Sequence, residues 1–222
     1  MKPAVSIIFF TVSSGAGLGL LALIALSDTF APESLPAEAL WRGALLGLAL
    51  VAIGLASSVL HLANPKNAWR SFARFKSSWL SREAVFSAAL FPVSGLYIVL
   101  VAQSKGGAGR ILLALLACVL AWAVLVCTAM IYASLKPIRQ WHTRWTPVNY
   151  VLLGHWSGAL LLWAIACAYA ARSGPFLFVA GAFGLAALAA ALCCIMGLLV
   201  ERWLFFAEAK HTVRLYHGDP RT

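Results

Sequence analysis

SSVLHLANPKNAWRSFARFKSSWLSRE, residues 57–83, joins the end of one apolar run to the start of the next. His61 lies near the close of a run that begins at Leu40, and Asn64-Pro65 follows at once. Asparagine is a good N-cap and proline suits the first helical position, so the chain leaves one helix and caps a new one within a few residues. Lys66, Arg70 and Arg74 then fall at i, i+4 and i+8, while Trp69, Phe72, Phe75 and Trp79 supply apolar surface on neighbouring faces. The pattern predicts a short helix lying at a membrane surface. Ser81 is placed to cap the next helix, with Glu83 in its first turn, where the macrodipole favours an acid.

The same alternation extends in both directions. Of 222 residues, 62% are hydrophobic and 11% charged, against roughly 25% charged in an ordinary soluble domain. Six segments are long and apolar enough to cross a hydrocarbon core, which takes about 20 helical residues: Val5 to Leu26, Leu40 to Leu62, Ala84 to Ala102, Ile111 to Tyr132, Pro147 to Ala170 and Phe176 to Phe206. The expected fold is all-α, a polytopic bundle of about six spanning helices forming one integral membrane domain over residues 1–222. The first segment reads as a retained span, because it is long for a signal-peptide core and Asp28, Glu33 and Glu38 follow it.

The net charge of +10 is unevenly placed. Lys2, Lys66, Arg70, Arg74, Lys76, Arg82, Lys136, Arg139, Arg144, Arg202, Lys210, Arg214 and Arg221 fall on one side, and Arg42, Lys105, Arg110 and Arg172 on the other. The positive-inside rule then puts both termini and the His61 junction in the cytoplasm of a bacterial inner membrane. Nucleic-acid binding is excluded as a reading, since the basic residues are short juxtamembrane clusters with no soluble domain to hold a duplex. All five cysteines, Cys118, Cys127, Cys167, Cys193 and Cys194, lie inside apolar segments with no CxxC, so no iron–sulfur cluster is expected on this chain, nor any metal site.

Small residues recur at Gly15 and Gly19 and at Gly43 and Gly47, spacings that let backbones approach. Pro92 and Gly95 predict a bend in the third helix. The fourth carries little chemistry beyond Arg110 and Tyr132, and Trp141, Trp145 and Tyr150 after it form an interfacial aromatic belt. His155 sits about 12 Å along the fifth helix at ~1.5 Å per residue. A histidine at that depth is a functional candidate by default. An interhelical hydrogen bond, a hydrogen bond to a quinone with proton exchange, and haem ligation all remain open for it. Glu201 is an intramembrane acid that needs a partner or a polar cavity, and Glu201, Glu208 and His211 fall on one helical face.

The 57–83 stretch resembles the DmsC family, the membrane-anchor subunits of dimethyl sulfoxide reductases. In that family an apolar helix ends in a His-Leu-Gly/Ala-x-Pro turn, followed by an arginine-bearing loop and a Ser-x-Glu helix start. IYASLKPIRQWHTRWTP (131–147) is similar at its aromatic-Thr-Pro entry, and FFAEAKHTV (205–213) more loosely so. The resemblance implies an anchor for a complex of three subunits. A molybdopterin catalytic subunit and a ferredoxin-like iron–sulfur subunit dock on one face, while the anchor holds the quinol site and typically no haem. The family's quinol-site histidine maps onto His61. Better-known members have eight spans, and their partners are exported to the periplasm, whereas the charge pattern here puts the partner face in the cytoplasm. That combination fits a quinone-linked sulfite dehydrogenase of the same architecture, or basic residues kept for subunit docking.

The residues and the resemblance agree on chemistry. Quinone redox moves two protons with two electrons, so a site needs a proton-exchanging group that bonds a quinone oxygen, and histidine titrates in the useful range. His61 is the expected quinone ligand, Glu201, Glu208 and His211 are candidate proton relays, and Arg74 and Arg82 are positioning or docking charges. The alternatives are a haem b anchor working through His155, or a small transporter or purely structural anchor.

Overall fold

The computed structural model describes residues 5–59, 69, 72–170 and 177–216, and for 177–181 and 208–216 the backbone alone. All regular structure among them is helical: α1 Val5–Phe30, α2 Ala37–Val59, α3 Trp79–Ala102, α4 Ala108–Ala133, α5 Trp145–Ala170 and α6 Leu177–Tyr216. Each is long and apolar enough to cross a membrane, α6 over Ala182–Ala207. This is the multi-pass bundle expected from the six apolar runs.

α1 is the axis of the bundle. Its most apolar stretch is 78% buried, against 17% for α5 and for α6, and it packs on α2, α4, α5 and α6. Glycine makes this possible. A Cβ at Gly19 would lie 2.0 Å from the Gly154 carbonyl oxygen, and one at Gly158 would lie 2.4 Å from the Leu20 nitrogen, so α1 and α5 touch backbone to backbone. On the α2 side, a Cβ at Gly17 would meet the Gly47 oxygen at 2.5 Å. The contact therefore uses Gly17 and Gly19, while a Cβ at Gly15 would meet nothing within 4 Å.

Two boundaries differ from the apolar runs for a clear physical reason. α1 continues to Phe30, so Asp28 is helical and buried instead of lying in an external loop. It is held by Arg110 at the start of α4, whose Nε donates at 2.9 Å to Oδ2 while Nη2 donates to Oδ1; the Tyr97 hydroxyl of α3 adds a third bond at 3.0 Å. α3 begins at Trp79, capped by Ser78, which accepts from the Ser81 N–H. Ser81 is not the cap: its own Oγ accepts the Arg74 N–H at 3.0 Å and is drawn into the loop. α3 runs on through Pro92.

Successive helices alternate in direction. The starts of α1, α3 and α5 and the ends of α2, α4 and α6 therefore share one end with the basic connections. The Asp28–Tyr97–Arg110 cluster closes the other.

Candidate functional site at the basic end

The last turn of the junction is fixed by Arg82. Its Nε donates to the Phe75 carbonyl at 3.0 Å and its Nη2 to the Lys76 carbonyl at 2.8 Å, while the guanidinium lies 4.2 Å from the Trp79 ring centroid. Arg82 thus positions the loop. Arg74 is exposed, in a 3₁₀ turn over residues 72–74. His61 lies outside the described residues, as does the first part of the expected surface helix.

Behind this loop, Glu83 is buried at 4% exposure, far from the solvated first-turn acid that a Ser81 cap implies. Its partner is Thr128 of α4. The Thr128 hydroxyl has one proton and two oxygens in reach, Glu83 Oε1 and the Val124 carbonyl at 3.0 Å. When that proton goes to Glu83, the acid is a carboxylate; when it goes to Val124, Glu83 itself must donate as a carboxylic acid. The pair has two self-consistent states that differ by one proton. No cation pairs with Glu83 among the described residues.

Beside it stands an aromatic box. Tyr132 stacks on Tyr150 at 5.6 Å and meets Trp141, Phe205 and Phe206 edge-on; Trp141 stacks on Phe205 at 5.0 Å and donates its Nε1–H to the Phe205 carbonyl at 2.9 Å. Thr146 ties the loop to α5 by donating to the Trp141 carbonyl at 2.8 Å. Inside the box Arg202, 4% exposed, lies 3.7 Å from the Tyr150 ring centroid and pairs with Glu201 at 3.0 Å. Glu201 thereby has a counter-charge, while its buried Oε2 makes no hydrogen bond.

His155 is placed between helices. Its Nδ1 lies 2.8 Å from the Val151 carbonyl, and its Nε2 accepts from Trp122 Nε1 of α4 at 2.8 Å. Both contacts are satisfied together by the tautomer that carries its proton on Nδ1, so the ring is fully engaged. An open groove lined by Trp122, Leu125, Val126, Val151, Leu152 and His155 faces outward there. The Nε2 lone pair is thus occupied by the Trp122 N–H. His142, the other histidine with a described side chain, lies in the α4–α5 loop with Nδ1 at 2.6 Å from the Ala133 carbonyl. No three His, Cys, Asp or Glu side chains converge on a metal position among the described residues.

A family described as DMSO reductase anchor subunit (DmsC) matches residues 1–204. The chain belongs to the DmsC family. Among its relatives, the C subunit of sulfite dehydrogenase from Allochromatium vinosum is 35% identical over 189 residues, 78% of this chain and 57% of that protein. The C component of the anaerobic dimethyl sulfoxide reductase of Escherichia coli K12 is 29% identical over 50% of this chain and 39% of that protein. The YnfH component of an anaerobic dimethyl sulfoxide reductase in the same organism is 24% identical over 94% of this chain and 71% of that protein. The chain thus spans about half the length of the first two relatives. No solved structure matches it.

Of the residues singled out in this DmsC-family chain, the structure brings Arg82 and Glu201 to the basic end, with Arg74 exposed beside them. Glu208 and His211 lie on the continuous backbone of α6 past Glu201. His155 faces the middle of the bundle's flank. Sequence reasoning missed Thr128, Tyr150 and Arg202 as site residues, and took Glu83 for a helix-start acid. The available signal was an acid at the edge of an apolar run, repeated at Asp28 and Glu83.

Proposed function

We propose that this chain is the quinone-reactive membrane anchor of a molybdopterin/iron–sulfur oxidoreductase, exchanging electrons between the quinone pool and an iron–sulfur partner subunit. Family membership supports the anchor role. The observation that carries the quinone role is Glu83, a buried carboxyl bonded to a neutral hydroxyl at the end of the bundle that bears the basic junction. A quinone accepts or releases two protons with its two electrons, and a carboxyl that changes protonation without breaking an ion pair suits that exchange. In this reading His61 hydrogen-bonds the quinone oxygen and Glu83 exchanges the proton. Arg82 holds the loop between them, and exposed Arg74 meets the partner. Glu201, Glu208 and His211 lead protons away.

The substrate is transformed on the molybdopterin subunit. The sulfite dehydrogenase relative has higher identity and longer coverage than the 29%-identical dimethyl sulfoxide reductase relative, which supports a sulfite-oxidising partner that sends electrons into the quinone. The charge asymmetry supports docking on the cytoplasmic face of a bacterial inner membrane, with both termini on that side.

The test is purification of the assembled complex, identification of its subunits by mass spectrometry, and quinone-linked turnover with decylubiquinone. His61→Ala is expected to abolish turnover and inhibitor binding; unchanged values for both would remove His61 from the site. Ser77→Cys should react with an impermeant thiol reagent from the cytoplasmic side, and labelling from the periplasm alone would reverse the orientation.

A further inference from the structure

Side chains of four helices form a polar line across the basic end of the bundle, from Glu83 to Glu201. Thr128 holds Glu83, and Tyr132 lies one helical turn further along α4 on the same face. Tyr132 stacks on Tyr150, Tyr150 lies against the Arg202 guanidinium, and Arg202 pairs with Glu201. The Tyr150 hydroxyl is buried, with Tyr132 and Arg202 beside it but neither in hydrogen-bond geometry. Next to it α1, α5 and α6 border a half-open cavity of ≈ 20 Å³, lined by Thr11, Ser157, Tyr150 and Arg202 among others.

One water needs about 10–15 Å³ and two to four polar partners, and this cavity supplies both. Thr11 and Ser157 donate their hydroxyl protons to carbonyls of their own helices, Ile8 at 3.0 Å and Leu153 at 2.9 Å. One of these hydroxyl oxygens can accept one of the water's hydrogens, which leaves the other for Glu201 Oε2, buried beside Arg202 without a hydrogen-bond partner. Tyr150 and Arg202 supply the donors.

We propose that this line is a proton relay, in which an internal water held by Tyr150 and Arg202 links Glu83, through Tyr132 and Tyr150, to Glu201. The inference rests on the quinone reading above. Glu201 is the outlet, its side chain 42% exposed. One proton enters at Glu83 and one leaves at Glu201. Each hydroxyl on the way, and the water, accepts a proton on its oxygen and releases another, so no electron moves and no side chain between the two acids changes charge. Arg202 stays protonated and acts as a positioning residue for Glu201 and the water.

The test is steady-state turnover of the assembled complex with decylubiquinone, in ordinary and heavy water. Tyr150→Phe and Tyr132→Phe keep the stacking and remove one hydroxyl each. Each is expected to lower kcat by about 10²-fold, the lower range for proton-transfer groups, with KM for the quinone unchanged and an increased solvent isotope effect. The double variant should be no slower than the worse single one, because the hydroxyls act in series. Variants within twofold of a quinone-active wild type would overturn the relay and leave the quinone reading standing. A wild type inert toward decylubiquinone would overturn both. Independently of activity, an experimental map of the complex should show a water bonded to the Tyr150 hydroxyl and Arg202, and a dry cavity would overturn the proposal.

Discussion

The two ends of the bundle each bury a carboxyl group, and they treat it in opposite ways. At the far end Asp28 is clamped by both arms of Arg110 and by the Tyr97 hydroxyl, which ties α1, α3 and α4 together. At the basic end Glu83 has a threonine hydroxyl and no cation among the described residues. A carboxylate locked to a guanidinium keeps its charge, since protonation would strand the cation. An acid bonded to a hydroxyl can gain or lose a proton while keeping its bond. The first arrangement fixes helices; the second is suited to chemistry.

The largest effect is expected where the clamp is broken. Arg110→Ala leaves Asp28 buried without its counter-charge and should cost about 3–5 kcal/mol, read as a lowered unfolding temperature in detergent. A loss within error would mean that the far end is not a lock. Glu83→Gln sharpens the contrast, because the amide still accepts from Thr128. Stability should stay within about 1 kcal/mol, the scale of one neutral hydrogen bond. Quinone turnover should fall by about 10²-fold, the lower range for a proton-transfer group. If stability falls instead and turnover survives, the two ends are alike. The smallest effect is expected on the flank between them. Trp122→Phe removes the donor to His155 and should cost about 0.6 kcal/mol, typical of an interhelical hydrogen bond in a membrane, with decylubiquinone turnover unchanged. A selective loss of turnover would make His155 a quinone ligand again.

Much of the architecture is legible in residue order. Apolar runs of spanning length mark the helices to within a turn or two at most ends, and the 57–83 junction carries the family resemblance by itself. The candidate site is less legible. Asp28 and Arg110 stand 82 residues apart, and each looks like an ordinary charge at the edge of a span, because hydropathy reports depth along a helix and says nothing of its facing neighbour. Ser78 and Ser81 are equally good caps by residue type; the Arg74 N–H decides between them by occupying Ser81. Once α3 starts at Trp79, Glu83 is carried past the helix mouth and turned toward α4. Arg202 reads as one more basic residue near a terminus, yet the rings of Tyr150 and Phe205 enclose it.

By itself the sequence determined that the chain has six helices long and apolar enough to cross a membrane among the described residues, where its basic connections gather and which family it belongs to, since these follow from composition along one dimension and from a contiguous motif. Which acid is clamped and which is left to a hydroxyl was decided only in the tertiary structure. Charge pairing in a low-dielectric bundle depends on distance and azimuth between helices. Those are set here by the close approach of α1 to α2 and α5 through glycines that permit it.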